Sequence, residues 1–323
     1  NKEFDANTLQ QERELLLTTA MEYPTPAMRR AAMDLLKVLG LPSGESTARV
    51  LKQSVENVKN TDLSAEKRSE SIRMLMLDDV RKHLELFQSL ITPNEAVSVQ
   101  ATALSAMHAL PDSTISVFLV EKWPTLTPGL REQAIGTFLG NESRISILLD
   151  ALENKIIDPS VISWPRQVGL MANGNEKLRL RARSLLSSEQ SSKQETVKEF
   201  QEALTLTGNP ENGQKVFAQH CAICHQIGGK NGVYYGPDLA TIRNRRPESV
   251  MADILVPNLS IADGYDIWNI DLKSGETLQG LIASETPSAI TIRNYGGSET
   301  TIARSEINAL TAMGTSVMTS GFD

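Results

Sequence analysis

Both cysteines of this 323-residue chain fall in one pentapeptide, Cys221-Ala222-Ile223-Cys224-His225. That spacing admits three kinds of chemistry. A Cys-x-x-Cys pair can cycle between dithiol and disulfide. It can also supply half of a zinc site, but such a site needs two further ligands, and no second Cys/His pair appears downstream. The other histidines, His83, His108 and His220, do not sit at ligand spacing with one another. Third, two thiols three positions apart on a helical turn can add to the two vinyl groups of one haem, with the following histidine placed to offer its imidazole to the iron. A scattered disulfide framework is excluded, because the chain has no other cysteine.

The elements around this pentapeptide change character along the chain. Up to about Leu186 apolar residues recur at three- and four-residue spacing, which predicts helices of ordinary length. The clearest are 26–40, 65–77, 94–110, 128–140 and 176–186, with breaks at Pro42, Pro93, Pro111, Pro124 and Pro128, where helix continuation is disfavoured. Small Ala and Ser residues in the middle of these segments suit closely packed helix pairs, so this half is read as a HEAT-like solenoid; an ordinary α-helical bundle is the other solution. The polar stretch SSEQSSKQE (187–195) is the expected domain boundary, followed by a further helix over 195–206.

Past Asn258 the texture becomes β-type. Segments 265–272, 277–284, 289–294 and 299–307 are separated by Lys273-Ser274-Gly275 and Tyr295-Gly296-Gly297, turn chemistry that suits antiparallel hairpins. Trp268, Ile270 and Leu272 alternate as a half-buried strand should. The expected fold is therefore multi-domain: an all-α HEAT-like domain over 1–190, then a small α domain carrying the pentapeptide over 195–323, with an antiparallel β-subdomain inserted at 265–310.

Composition limits the partners. A formal charge of −7 argues against nucleic acid, since neutralising phosphates needs a Lys/Arg surplus. No apolar run is long enough to span a bilayer, and a start at Asn1 without an initiator Met or signal peptide reads as a processed or trimmed piece. No Ser/His/Asp triad, phosphate loop or carboxylate pair stands out, so no catalytic residue is expected in this chain.

The segment GNPENGQKVFAQHCAICHQIGGKNGVYYGPDLATIRNRR (208–246) resembles class I cytochrome c. Gly213 and Phe217 precede the first cysteine where that family places a glycine and an aromatic residue. GGKNGVYYGPDL is similar to its Gly-rich loop and Gly-Pro-x-Leu sequence. The resemblance implies one covalently attached haem c on Cys221 and Cys224, His225 as axial ligand, and a Pro237 carbonyl that accepts a hydrogen bond from that histidine and fixes its ring. Over the longer chain GYDIW (264–268), SGETLQGLIASET (274–286) and SVMTSGF (316–322) resemble the haem-binding proteins of planctomycetes and verrucomicrobia, in which HEAT-type helices precede a cytochrome domain with a β-rich extension. That family's terminal Met-Pro is here Met318-Thr319.

The sixth ligand decides what such a haem could do, because His/Met ligation saturates the iron and suits electron transfer, whereas an open position suits ligand binding or catalysis. Met21, Met28, Met33, Met74, Met76, Met107 and Met171 lie in helical stripes and read as core, and Met251 reads as helix packing. Met318, in a Ser/Thr/Gly-rich loop and matching the family's terminal Met, is the expected iron ligand beside His225, with Met313 the runner-up. The resemblance also puts Arg245 near a haem propionate, which its fork of donors suits; a solvated turn is the plainer reading. Tyr265 and Trp268 are the expected haem-crevice aromatics, although aromatic residues beside strands are ordinarily sheet core.

The resemblance implies a mono-haem carrier of single electrons, located in the periplasm or otherwise outside the cytoplasm of a bacterium. Its partner would be a redox protein, and the longer relatives in the family, with a β-propeller resembling sugar dehydrogenases, point to a dehydrogenase. The rival expectations are a five-coordinate, peroxidase-like haem enzyme or sensor, and a docking protein whose helical array is the working part.

Overall fold

The computed structural model describes residues 9–259, 261–262 and 264–319. Among them are thirteen α-helices and one antiparallel sheet of five strands. The chain divides into two compact units, the first ending at Asp112 and the second beginning at Ser113.

In the first unit, α1 (Gln10–Glu22) and α2 (Pro26–Leu39) pair, as do α3 (Glu45–Lys59) and α4 (Ala65–Leu75), followed by α5 (Leu84–Ser89) and α6 (Val97–His108). Pro26 opens α2 at a position where its missing N–H costs nothing, and Gly40 closes it with a φ of 79°. Leu17, Ala20, Ala32, Met33, Leu36 and Met74 form one core. Met28 departs from the core reading: it lies on the outer side of α2 and is 47% exposed, because the buried stripe runs through Ala32, Met33 and Leu36 instead.

The second unit holds α7 (Thr114–Lys122), α8 (Pro128–Phe138), α9 (Glu142–Glu153), α10 (Trp164–Met171), α11 (Glu176–Glu199), α12 (Pro210–His220) and α13 (Pro247–Leu255), and then the sheet. The polar stretch 187–195 lies inside α11; it contains neither Gly nor Pro, so nothing in it breaks a helix. The region 195–206 finishes α11 and continues as a 3₁₀ turn over Gln201–Thr205.

Strands β1 (Asp266–Leu272), β2 (Thr277–Glu285), β3 (Ala289–Arg293), β4 (Glu299–Ala303) and β5 (Ile307–Ser316) are ordered β4-β3-β2-β1-β5, every pairing antiparallel. The first four are a meander of hairpins. At the β1–β2 turn Gly275 takes a φ of 91° and donates its N–H to Leu272. The segment expected as one strand over 299–307 splits: β4 ends at Ala303, a 3₁₀ turn over Arg304–Glu306 redirects the chain, and β5 returns beside β1. Trp268, Ile270, Ile290, Ile292, Ile302, Ile307 and Leu310 close a core on one face. Arg131 of α8 joins helix to sheet. Its guanidinium lies 4.8 Å from the Trp268 ring and 5.1 Å from the Trp123 ring, and pairs with Asp266 at 3.1 Å.

Candidate haem attachment site

Helix α12 delivers the pentapeptide. Asn209 caps it, its side chain accepting from the Asn212 N–H at 3.0 Å, and Pro210 comes next as the first helical residue. At the other end the helix tightens: the Cys221 and Ala222 N–H groups both bond the Phe217 carbonyl at 2.9 Å. The Cys224 and His225 N–H groups then bond the Cys221 carbonyl at 3.0 and 2.8 Å. Both thiols and the imidazole thus belong to one turn.

The loop after this turn folds back onto it. Val233 donates to the Ala222 carbonyl at 2.8 Å, and the Tyr235 and Gly236 N–H groups share the Cys224 carbonyl at 3.0 and 2.6 Å. Two glycines are required by contact. A side chain at Gly232 would run into the His225 carbonyl, and a Cβ at Gly236 would stand 2.6 Å from the His225 imidazole. The Gly-Pro pair therefore acts twice: Gly236 lets the backbone lie flat on the ring, and the Pro237 carbonyl accepts from His225 Nδ1–H at 2.7 Å. That bond places the ring proton on Nδ1 and leaves the Nε2 lone pair available to a metal.

Asp238, which no motif in the sequence singles out, ties the loop together. Its carboxylate accepts from the Gly228, Gly229 and Ala240 N–H groups at 2.8, 2.7 and 2.8 Å. The Ala240 bond and then the Gly228 bond do most to hold this carboxyl below the usual carboxylate range, with Gly229 adding to them against a small desolvation cost. The only signal in the sequence is an Asp opening a turn, here the 3₁₀ turn over Leu239–Ile242.

Electrostatics separate the three chemistries. Burial pushes the Cys221 thiol above its ordinary range; burial and then the neighbouring Cys221 do the same for Cys224. That direction disfavours the thiolate a nucleophilic Cys-x-x-Cys needs. Among the described residues no cluster of three or more His, Cys, Asp or Glu side chains is placed to hold a metal ion by itself.

Burial tests whether the residues fit a haem. From Lys198 to Met251 only Tyr235 and Gly236 are buried. Helix α12 has 11 residues and buries none of them, yet a helix this short draws its stability from tertiary packing. Ile223, between the two cysteines, is 51% exposed. Two thiols, one free imidazole nitrogen and exposed apolar residues around them fit a flat apolar ring system that supplies the missing core.

Residues 210–273 match the Cytochrome c family model. The chain contains a cytochrome c domain. Cys221 and Cys224 lie inside the matched span, and a cytochrome c domain implies covalently bound haem c and haem-based electron transfer.

The structure brings Cys221, Cys224, His225 and Pro237 together, and the other expected site residues make contacts of their own. Phe217 is half-buried and lines a recess of about 600 Å³ with Gly213, Gln214, Ala218 and Ile227; neither thiol nor the imidazole lines it. Arg245 pairs with Asp253 at 2.6 Å and donates to Ser249 Oγ at 2.7 Å, both on α13. Tyr265 lies beside Tyr234 of the haem loop, and burial, followed by this neighbour, pushes its phenol up. Trp268 is fully buried in the sheet core. Met313 lies on β5 at 46% exposure, its sulfur accepting from Asn269 Nδ2 at 3.0 Å. Met318 comes after β5, half-buried, its N–H on Ser316 Oγ at 3.1 Å, while the Ser316 N–H is held by Asn258 at 2.8 Å. No helix among the described residues is long and apolar enough to cross a membrane.

Proposed function

We propose that this chain is a mono-haem c-type cytochrome that passes single electrons between protein partners, with His225 and Met318 as the two axial ligands. The observation that carries the reading is the 2.7 Å bond from His225 Nδ1 to Pro237, on the turn that also presents both thiols. Bound haem c supplies a one-electron iron couple. Cys221 and Cys224 anchor it through thioether bonds. His225 presents Nε2, and Pro237 holds the ring in one orientation and raises its basicity. Met318 would cap the opposite side, the turn after β5 being pinned by Asn258 and Ser316. Phe217 and Tyr265 would serve the group less directly, as walls, and Arg245 as a propionate partner once freed from Asp253, while Trp268 belongs to the sheet core.

The chain itself carries no catalytic machinery on this reading; donor or acceptor would be a redox protein, with a dehydrogenase the favoured class. The helices before α12 would act as a HEAT-like docking surface or spacer. Covalent haem attachment is an extracytoplasmic process in bacteria, which supports a periplasmic location. Optical spectra of the oxidised and dithionite-reduced protein, with and without carbon monoxide, test the ligation. A low-spin haem indifferent to carbon monoxide is expected. A high-spin, carbon-monoxide-binding haem would replace the carrier by an open-iron enzyme or sensor.

A further inference from the structure

The carrier reading gives the five-stranded sheet no task, yet its loops converge on one short piece of the haem loop, Val233-Tyr234-Tyr235. Arg293, the last residue of β3, places its guanidinium 4.0 Å from the Tyr234 ring centroid, and is itself steadied by Glu299 across the hairpin at 2.9 Å. Tyr265, just before β1, lies beside the Tyr234 phenol. Tyr295, at the β3–β4 turn, meets the Tyr235 ring edge-on with centroids 5.7 Å apart. In the same turn Gly297 has a φ of 84°, and a Cβ there would stand 2.8 Å from Val233 Cγ1. Tyr234 is 46% exposed, so burial alone does not fix it; the guanidinium at the end of β3 does.

The gripped residues lead directly into the backbone that holds the histidine. Tyr235 and Gly236 bond the Cys224 carbonyl, Gly236 lies against the imidazole, and Pro237 accepts its proton. A rigid peptide can hold a carbonyl at fixed distance and angle only if its flanks are fixed. On the far flank Asp238 does this with three backbone bonds. On the near flank the side chain that meets the Tyr234 ring comes from the sheet, Arg293, and Tyr295 and Gly297 of the β3–β4 turn meet Tyr235 and Val233 beside it.

We infer that the sheet is a positioning device for the axial histidine, and that Tyr234, clamped by Arg293, transmits its rigidity through residues 235–237 to the His225 Nδ1–Pro237 bond. The inference rests on the reading of His225 as an iron ligand. A strong bond at Nδ1 makes the imidazole a better donor and favours the ferric state, so loosening the clamp weakens that donation and raises the reduction potential. Tyr234 and Arg293 are positioning residues; neither is required to touch the haem.

The test compares Tyr234→Ala, Tyr234→Phe and a control, Thr301→Ala, which removes the 3.0 Å Thr291–Thr301 bond between β3 and β4 without touching the haem loop. Two quantities are read on the haem-loaded protein: its midpoint potential, and amide exchange at Tyr235 and Gly236. Tyr234→Ala should raise the potential and speed exchange at both amides at least tenfold. Tyr234→Phe, keeping the ring under Arg293, should recover most of both effects, and Thr301→Ala should show neither. If Tyr234→Ala fails to fold, Arg293→Ala removes the clamp and leaves the ring. Unchanged potential and exchange in the clamp variant, or an equal change in Thr301→Ala, overturns the inference. Wild-type protein that takes up no haem would overturn the carrier reading, and the inference with it, whereas haem-loaded variants with unchanged potential and exchange overturn the inference alone.

Discussion

The haem loop and the sheet next to it in the chain hold their shapes by opposite means. The sheet is self-sufficient: alternation puts Trp268, Ile270, Ile290 and Ile292 on one face, and all four are fully buried. The segment from α12 to the start of α13 has no comparable interior. Its order comes from backbone bonds onto the Cys221, Ala222 and Cys224 carbonyls and onto the Asp238 carboxylate. Apolar burial can be supplied by side chains or by a prosthetic group, and a segment that leaves it out while keeping two thiols and an imidazole on one turn is shaped around the group. The difference predicts that the two regions respond differently to the same insult.

The largest effect is expected from the double variant Cys221→Ala/Cys224→Ala. Covalent haem should be lost entirely, and amide protection over 208–246 should fall well below that of the haem-loaded protein while protection in β1, β2 and β3 is retained. Loss of protection in both regions would mean that they are one cooperative body. Trp268→Ala should do the converse. It removes a fully buried indole from the sheet core and the face on which Arg131 rests, at a cost of about 3–5 kcal/mol in chemical denaturation, while the thioether-bound haem stays attached to the chain.

Gly236→Ala tests the contact with the ring. A Cβ placed 2.6 Å from the imidazole forces either the loop or His225 to move, so the reduction potential and the imidazole resonances should shift although haem remains covalently bound. A subtler change is expected at Asp238. Its carboxyl titrates below the usual range in the folded protein, first through the Ala240 N–H and then through Gly228 and Gly229. A depressed folded pKa gives stabilisation that is complete above the ordinary carboxylate value of about 3.9 and is lost as the pH falls through the folded value. Exchange at Gly228 and Gly229 should therefore accelerate in that acid window, and Asp238→Asn should show the acid behaviour at neutral pH. The smallest effect belongs to the cap: Asn209→Ala should cost α12 about 1 kcal/mol, measurable as a lower melting temperature of the protein without haem and little changed once haem ties the helix down.

The parts of the site that could be read from the sequence are those fixed by local spacing. The pentapeptide fixes its own turn, and Gly236-Pro237 sits where the backbone must pass the ring and offer a carbonyl. β1 to β4 were visible because Trp268/Ile270 and Ile290/Ile292 alternate between turns that carry Gly275, Gly296 and Gly297. β5 was not, since INALTAMGTS (307–316) mixes small and polar residues with Gly314 and shows no clean period; it is a strand because β1 offers it a free edge. Long-range pairings stayed hidden for a related reason. Arg245 finds Asp253 only once α13 turns back, and nothing local shows that Asp238 will meet two glycine amides nine and ten residues before it. Trp268 was expected beside the haem, but the same alternation that marks its strand turns it into the sheet's interior.

The most direct test of the central claim is the intact mass of the purified, denatured protein produced in cells able to assemble c-type cytochromes outside the cytoplasm. Addition of one haem mass that survives denaturation, and that disappears in the Cys221→Ala/Cys224→Ala variant, is the predicted result. A mass equal to that of the bare chain, with both thiols free or joined as a disulfide, would contradict the account and return the pentapeptide to dithiol chemistry.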